Sequence, residues 1–108
     1  MTEAVEIKLG EGVETLRPTL RAAKAVAAIG GREGITDVFR RLAVWDLDCY
    51  VAVVAAGLNK RPSDVEKDVF HAGMDTLAEP LARFVAMIAR GGREEPPGPD
   101  GDKPQGEA

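Results

Sequence analysis

One cysteine and one histidine, Cys49 and His71, are the residues of this 108-residue sequence whose types could join in nucleophilic chemistry. A thiol becomes a nucleophile when a base or a nearby cation draws off its proton, and an imidazole is a common base. Cys49, however, stands in "DLDCYVAVVAAGL", among apolar neighbours. Burial as a small hydrophobe is the reading those neighbours favour, while a Cys49/His71 pair stays open on sequence alone. A lone cysteine rules out an intrachain disulfide and a cysteine-built metal site. Asp46 and Asp48 stand two apart, which on a helix points them in different directions, so they read as a cap and a solvated residue rather than an acid/base or metal pair. His71, just before Gly73, reads as a residue favoured by the dipole at a helix C-terminus. "GGREG", Gly30 to Gly34, lacks the Lys-Ser/Thr of a phosphate-binding loop and follows a helical pattern instead of a strand, so it reads as a connection. No catalytic, cofactor-binding or metal-binding set is assigned, and enzymatic activity is not expected.

Arg17, Arg21 and Lys24 form a basic stripe at i, i+4 and i+7. A solvated face is the plainer reading, and an acidic partner is the functional one. Overall charge must be divided along the chain before it carries meaning. The stretch "GGREEPPGPDGDKPQGEA" holds two cations against five carboxylates, whereas the rest holds 12 cations against 13 carboxylates. A nearly neutral body argues against a nucleic-acid platform, since phosphate binding draws on clustered Lys and Arg. The acidic stretch has four prolines and no large apolar residue. Residues 1–91 are therefore expected to form one helical domain with an N-terminal hairpin, and residues 92–108 a disordered acidic Pro/Gly-rich tail. No apolar run approaches the roughly 18 residues of a membrane span, so no membrane partner and a cytoplasmic location are expected.

Val5, Ile7 and Leu9 alternate with Glu6 and Lys8, the period-two pattern of a half-buried strand. Gly10 and Gly12 offer the positive φ of a tight turn, Val13 to Arg17 returns the strand, and Pro18 ends it. Thr19 is placed to cap a helix in which Ala22, Ala25, Val26 and Ile29 share a face, and Gly30-Gly31 stops that helix. A second helix shows Ile35, Val38, Phe39 and Leu42 at helical spacing, with Arg40 and Arg41 turned outward. Asp46 reads as the N-cap of a third helix, Leu47 to Leu58, apolar almost all round and hence central. Ser63 and Glu66 have capping-box spacing, which puts the start of a fourth helix at Asp64 and its end near Gly73. Leu77, Leu81, Phe84, Val85 and Ile88 form the stripe of a fifth helix, with Pro80 near its start. Phe39, Trp45, Tyr50, Phe70 and Phe84 are the aromatics expected in the core. The fold class is α+β, mostly α-helical: an N-terminal β-hairpin followed by about five short helices, then the tail.

The order of these parts resembles the small tail proteins of gene transfer agents, which belong with short tail-assembly proteins of long-tailed bacteriophages. The likeness runs from Val5 to Gly92, through "TLRPTLRAAKAV", "ITDVFRRL", "VVAAGL", "KRPSDVE" and "LAEPLARFVAMIARGG", with "TLRPTL" and "AAGL" carrying most of it. It implies a role in virion morphogenesis, as a tail-tube component or as a tail-assembly chaperone. A self-polymerising tube subunit calls for extensive sheet to close a ring, and this chain offers one hairpin, which favours the chaperone. Its implied partners are tape-measure and tail-tube proteins, with homo-oligomerisation also open. Apolar helical segments of the tape measure would dock helix-in-groove. Arg17, Arg21, Lys24, Val26, Ile29, Leu77, Leu81 and Phe84 are the candidate partner-binding residues. The competing reading is a small regulatory or DNA-associated helical protein, with "GREGITDVFRRL" presenting Arg32, Arg40 and Arg41 to phosphate.

Overall fold

A computed structural model describes residues 4–92, so the expected tail, apart from Gly92, lies outside the described residues. Strand β1 (Val5–Leu9) buries its three apolar residues and exposes Glu6 and Lys8, as the alternation requires. It pairs antiparallel with β2 (Gly12–Leu16), Val5 opposite Leu16 and Leu9 opposite Gly12. That register leaves a two-residue turn. Gly10 takes φ +63° at its first position, the conformation a type II′ turn demands there. Gly12 simply opens β2 and needs no positive φ, so one glycine, not two, makes the turn.

Helix α1 (Leu20–Ile29) is capped by Thr19, whose hydroxyl oxygen accepts from the Ala22 N–H at 3.0 Å. Ala22 and Val26 are buried and Ile29 is partly so, while Ala25 faces solvent and Ala23 flanks the core in its place. The buried stripe of α1 is thus shifted toward Ala23. A 3₁₀ turn (Gly31–Glu33) leads into α2 (Ile35–Ala43). Asp46 caps α3 (Leu47–Leu58), accepting from the Cys49 N–H at 3.4 Å. This helix packs against β2 and the other four helices, which is why its valines are tolerated despite their weak helix propensity.

Helix α4 (Pro62–Ala72) starts two residues before the expected Asp64. Pro62 takes the first helical position, where its fixed φ fits and its missing N–H costs nothing. The Ser63/Glu66 box therefore falls out of frame. Asp64 instead accepts from the Arg61 backbone N–H at 3.4 Å, and the Arg61 side chain, having only donors, cannot return the bond. Helix α5 (Met74–Ala89) includes Pro80 as its seventh residue, beyond the first turn, so the Thr76 carbonyl loses its helical donor.

The core gathers residues from both strands and all five helices, with Tyr50 and Phe84 its largest fully buried side chains. Phe39, Trp45 and Phe70 are not core residues. They are exposed, because α2 turns Val38 and Leu42 inward instead of Phe39, α4 turns Val65 and Val69 inward instead of Phe70, and Trp45 lies in the turn between α2 and α3. Among the described residues no helix is long and apolar enough to cross a membrane.

Candidate functional site

Of the candidate partner-binding residues, Val26, Leu77, Leu81 and Phe84 are fully buried and Ile29 packs against the core. The stripes of α1 and α5 are consumed by the domain's own interior, so neither offers an open groove. Arg17, Arg21 and Lys24 are exposed, as a basic stripe should be. Two of them, Arg17 and Arg21, come together with Lys60 on the wall of an open groove of about 680 Å³ between β2, the start of α1 and the end of α3. Lys24 does not line it.

The groove exists because α3 ends close against the hairpin. A Cβ on Gly57 would stand 2.7 Å from Leu16 Cδ2 and 3.1 Å from Phe84 Cζ, so a side chain there would force strand and helix apart. The contact is closed by the Arg17 N–H, which donates to the Gly57 carbonyl at 3.1 Å, and by the Arg21 guanidinium, which donates to Asn59 Oδ1. Since Arg17 turns its N–H away from β1, the period of the strand turns the backbone groups of Val13 and Thr15 to the same free edge. Val13 adds an apolar side chain that is 58% exposed. Glu14 is the only carboxylate among the lining residues.

A second surface lies at the end of α2. Phe39, Val44 and Trp45 are 37%, 64% and 53% exposed within seven residues. The Trp45 N–H donates to the Leu42 carbonyl at 3.3 Å and the Asp46 N–H to the Arg41 carbonyl at 3.0 Å, the two bonds of a Schellman motif. Trp45 occupies its left-handed position at φ +60°, where glycine is the usual residue and a bulky side chain is strained. Tyr50 fastens the turn from beneath, its buried hydroxyl donating to the Leu42 carbonyl at 2.6 Å.

Beside this turn sits an acid that the sequence reading passed over. Asp37, with a side chain only 10% exposed, accepts from Arg40 Nε at 2.8 Å and pairs with Arg41 Nε at 2.9 Å. The i, i+3, i+4 spacing of Asp37, Arg40 and Arg41 was the available signal. Arg41 Nε also lies 3.9 Å from Asp46.

Cys49 is buried, its Sγ 3.9 Å from the Val38 carbonyl oxygen. Burial first, then the carboxylate of Asp46, pushes its thiol up to about 11, the reverse of what a nucleophile needs. His71 lies on the exposed side of α4, edge-on to Phe70 with 5.3 Å between ring centres. Among the described residues no hydrogen bond joins Cys49 to His71, and no three His, Cys, Asp or Glu side chains gather as metal ligands. "GGREG" is a helix-to-helix connection, with Arg32 exposed on it. No protein-family model, curated protein or solved structure matches the chain.

Proposed function

We propose that this protein is a tail-assembly chaperone of the gene transfer agent and long-tailed phage type, shielding apolar helical segments of a tape-measure protein until tail-tube subunits polymerise around it. The supporting observation is the turn that closes α2, which leaves Val44 and Trp45 exposed and holds Trp45 in strained backbone. Strain held at an exposed aromatic costs stability and is retained where the side chain is used. Aromatic anchors of this kind dominate interface energetics. A partner helix therefore docks on the end of α2 in place of the α1 and α5 stripes. The pairing of Arg40 and Arg41 with Asp37 takes two cations away from the phosphate-binding alternative.

Co-expression with tape-measure fragments tests the reading. Expected are a higher soluble yield, a complex on size exclusion, and binding that changes little with salt, because apolar burial is only weakly screened. Trp45→Gly should abolish the complex without unfolding the chaperone. Tight, salt-sensitive binding to duplex DNA, with no effect on tape-measure solubility, would replace this reading with the regulatory one.

A further inference from the structure

Gly92, the last described residue, lies against Pro18: a Cβ built on it would stand 3.2 Å from the Pro18 carbonyl oxygen. Pro18 is flanked by Arg17 and Thr19, both on the groove wall. The described chain thus leaves the fold at the rim of the basic groove. The sequence that follows, residues 93–108, holds Glu94, Glu95, Asp100, Asp102 and Glu107 against Arg93 and Lys103. Within the groove, Arg17, Arg21 and Lys60 outnumber Glu14. Among the described residues none of these three cations is in an ion pair, and the partner of Arg21 is the neutral Asn59.

We propose that residues 93–108 are the groove's own ligand, lying as a tethered acidic segment against Arg17, Arg21 and Lys60 of the same molecule and screening that groove from other acidic chains. The reach is short. Glu94 and Glu95 follow Gly92 by two and three residues, within about 7 to 11 Å of extended chain. Tethering makes the encounter intramolecular, at an effective concentration on the order of millimolar. Pro96, Pro97, Pro99 and Pro104 bring no N–H to strand addition along β2 and five carboxylates match the basic wall in sign, so the proposed contact is one of charge. Charge pairing asks for no fixed backbone and falls with salt. This inference is independent of the α2 face and of the tape-measure reading.

The test uses the full chain and a variant carrying E94Q, E95Q, D100N, D102N and E107Q, all in the segment that follows the described residues. At low salt the amide NMR shifts of Val13, Thr15, Arg17, Asn59 and Lys60 should differ between the two proteins. They should converge near about 0.5 M salt, where screening acts over roughly 4 Å. Adding R17Q and K60Q should abolish the difference, and a deca-glutamate peptide should bind the neutral-tail variant at least about tenfold more tightly than the parent, as loss of a tethered competitor requires. Coincident groove shifts at low salt would overturn the proposal. So would a shift difference that grows with protein concentration, which would put the segment in the groove of a second copy.

Discussion

At the residue scale the chain spends conformational energy at Trp45. The left-handed position of a Schellman motif disfavours any residue with a Cβ, and the neighbouring motif at the end of α3 uses Asn59, a residue that tolerates φ +58° far better. Trp45→Gly should accordingly leave stability unchanged or raise it by up to about 1 kcal/mol, the relief of strain offsetting the half-buried ring. Urea unfolding measures this, and a loss of more than that amount would mean that the indole is structural. Cys49 supplies a second residue-scale expectation. Its folded thiol titrates near 11 instead of the ordinary 9.0, so below pH 9 both folded and unfolded chains hold the proton. Between those values the unfolded chain ionises and the folded chain does not, so stability falls as pH rises, by at most about 1.4 kcal/mol per pH unit. Tyr50, also raised by burial, adds to the loss in the same direction above its own ordinary range. In Cys49→Ala the slope of unfolding free energy between about pH 9 and 11 should be shallower than in the parent. Equal slopes would show that Cys49 is not the titrating group.

At the element scale α3 is the part on which the others depend. Val54 is fully buried in it, so Val54→Asp places an unpaired charge among apolar side chains and should unfold much of the domain. Circular dichroism with a near-normal melting curve would contradict that assignment. Gly57→Ala should cost about 1 to 3 kcal/mol, because the new methyl meets Leu16 and Phe84 inside contact distance, and the groove that Gly57 itself lines should widen with it. These elements were legible in the sequence wherever the deciding signal is local: the alternation of β1, the Thr19 and Asp46 caps and the all-round apolarity of α3 all have their causes within a few residues. The start of α4 was less so, since Pro62 and Ser63 both mark a helix start and only the frame of the folded chain chooses between them. The aromatics misled for another reason. Hydrophobicity says what a residue favours, and Phe39, Trp45 and Phe70 stand one position off buried stripes or in a turn, which composition does not encode. The groove was half legible: Arg17 and Arg21 announce a basic face, but nothing near Lys60 says that it joins them across the chain.

At the scale of the whole molecule, a domain this small buries only about two-thirds of its unfolded surface, so its stability is modest and a bound partner alters it measurably. Binding confined to the folded state adds stability by mass action, about 2.7 kcal/mol at a ligand concentration one hundred times Kd. Cys49 reports that gain directly. Its sulfur is buried and its thiol is held protonated, so a thiol reagent reaches it only when the core opens. Under conditions where reclosing outruns labelling, the labelling rate follows the population of the open state. A tape-measure fragment docked on the α2 face should then slow labelling of Cys49 by about 100-fold at that concentration. Trp45→Gly should label at the parent's rate or slower when alone and show no protection when the fragment is added. Full protection of the Trp45→Gly chain would move the docking site away from the α2 face. A fragment that co-elutes with the parent yet leaves its labelling unchanged would mean that the partner binds the open chain as well as the folded one, and the proposed native-state chaperone would give way to a holder of unfolded segments.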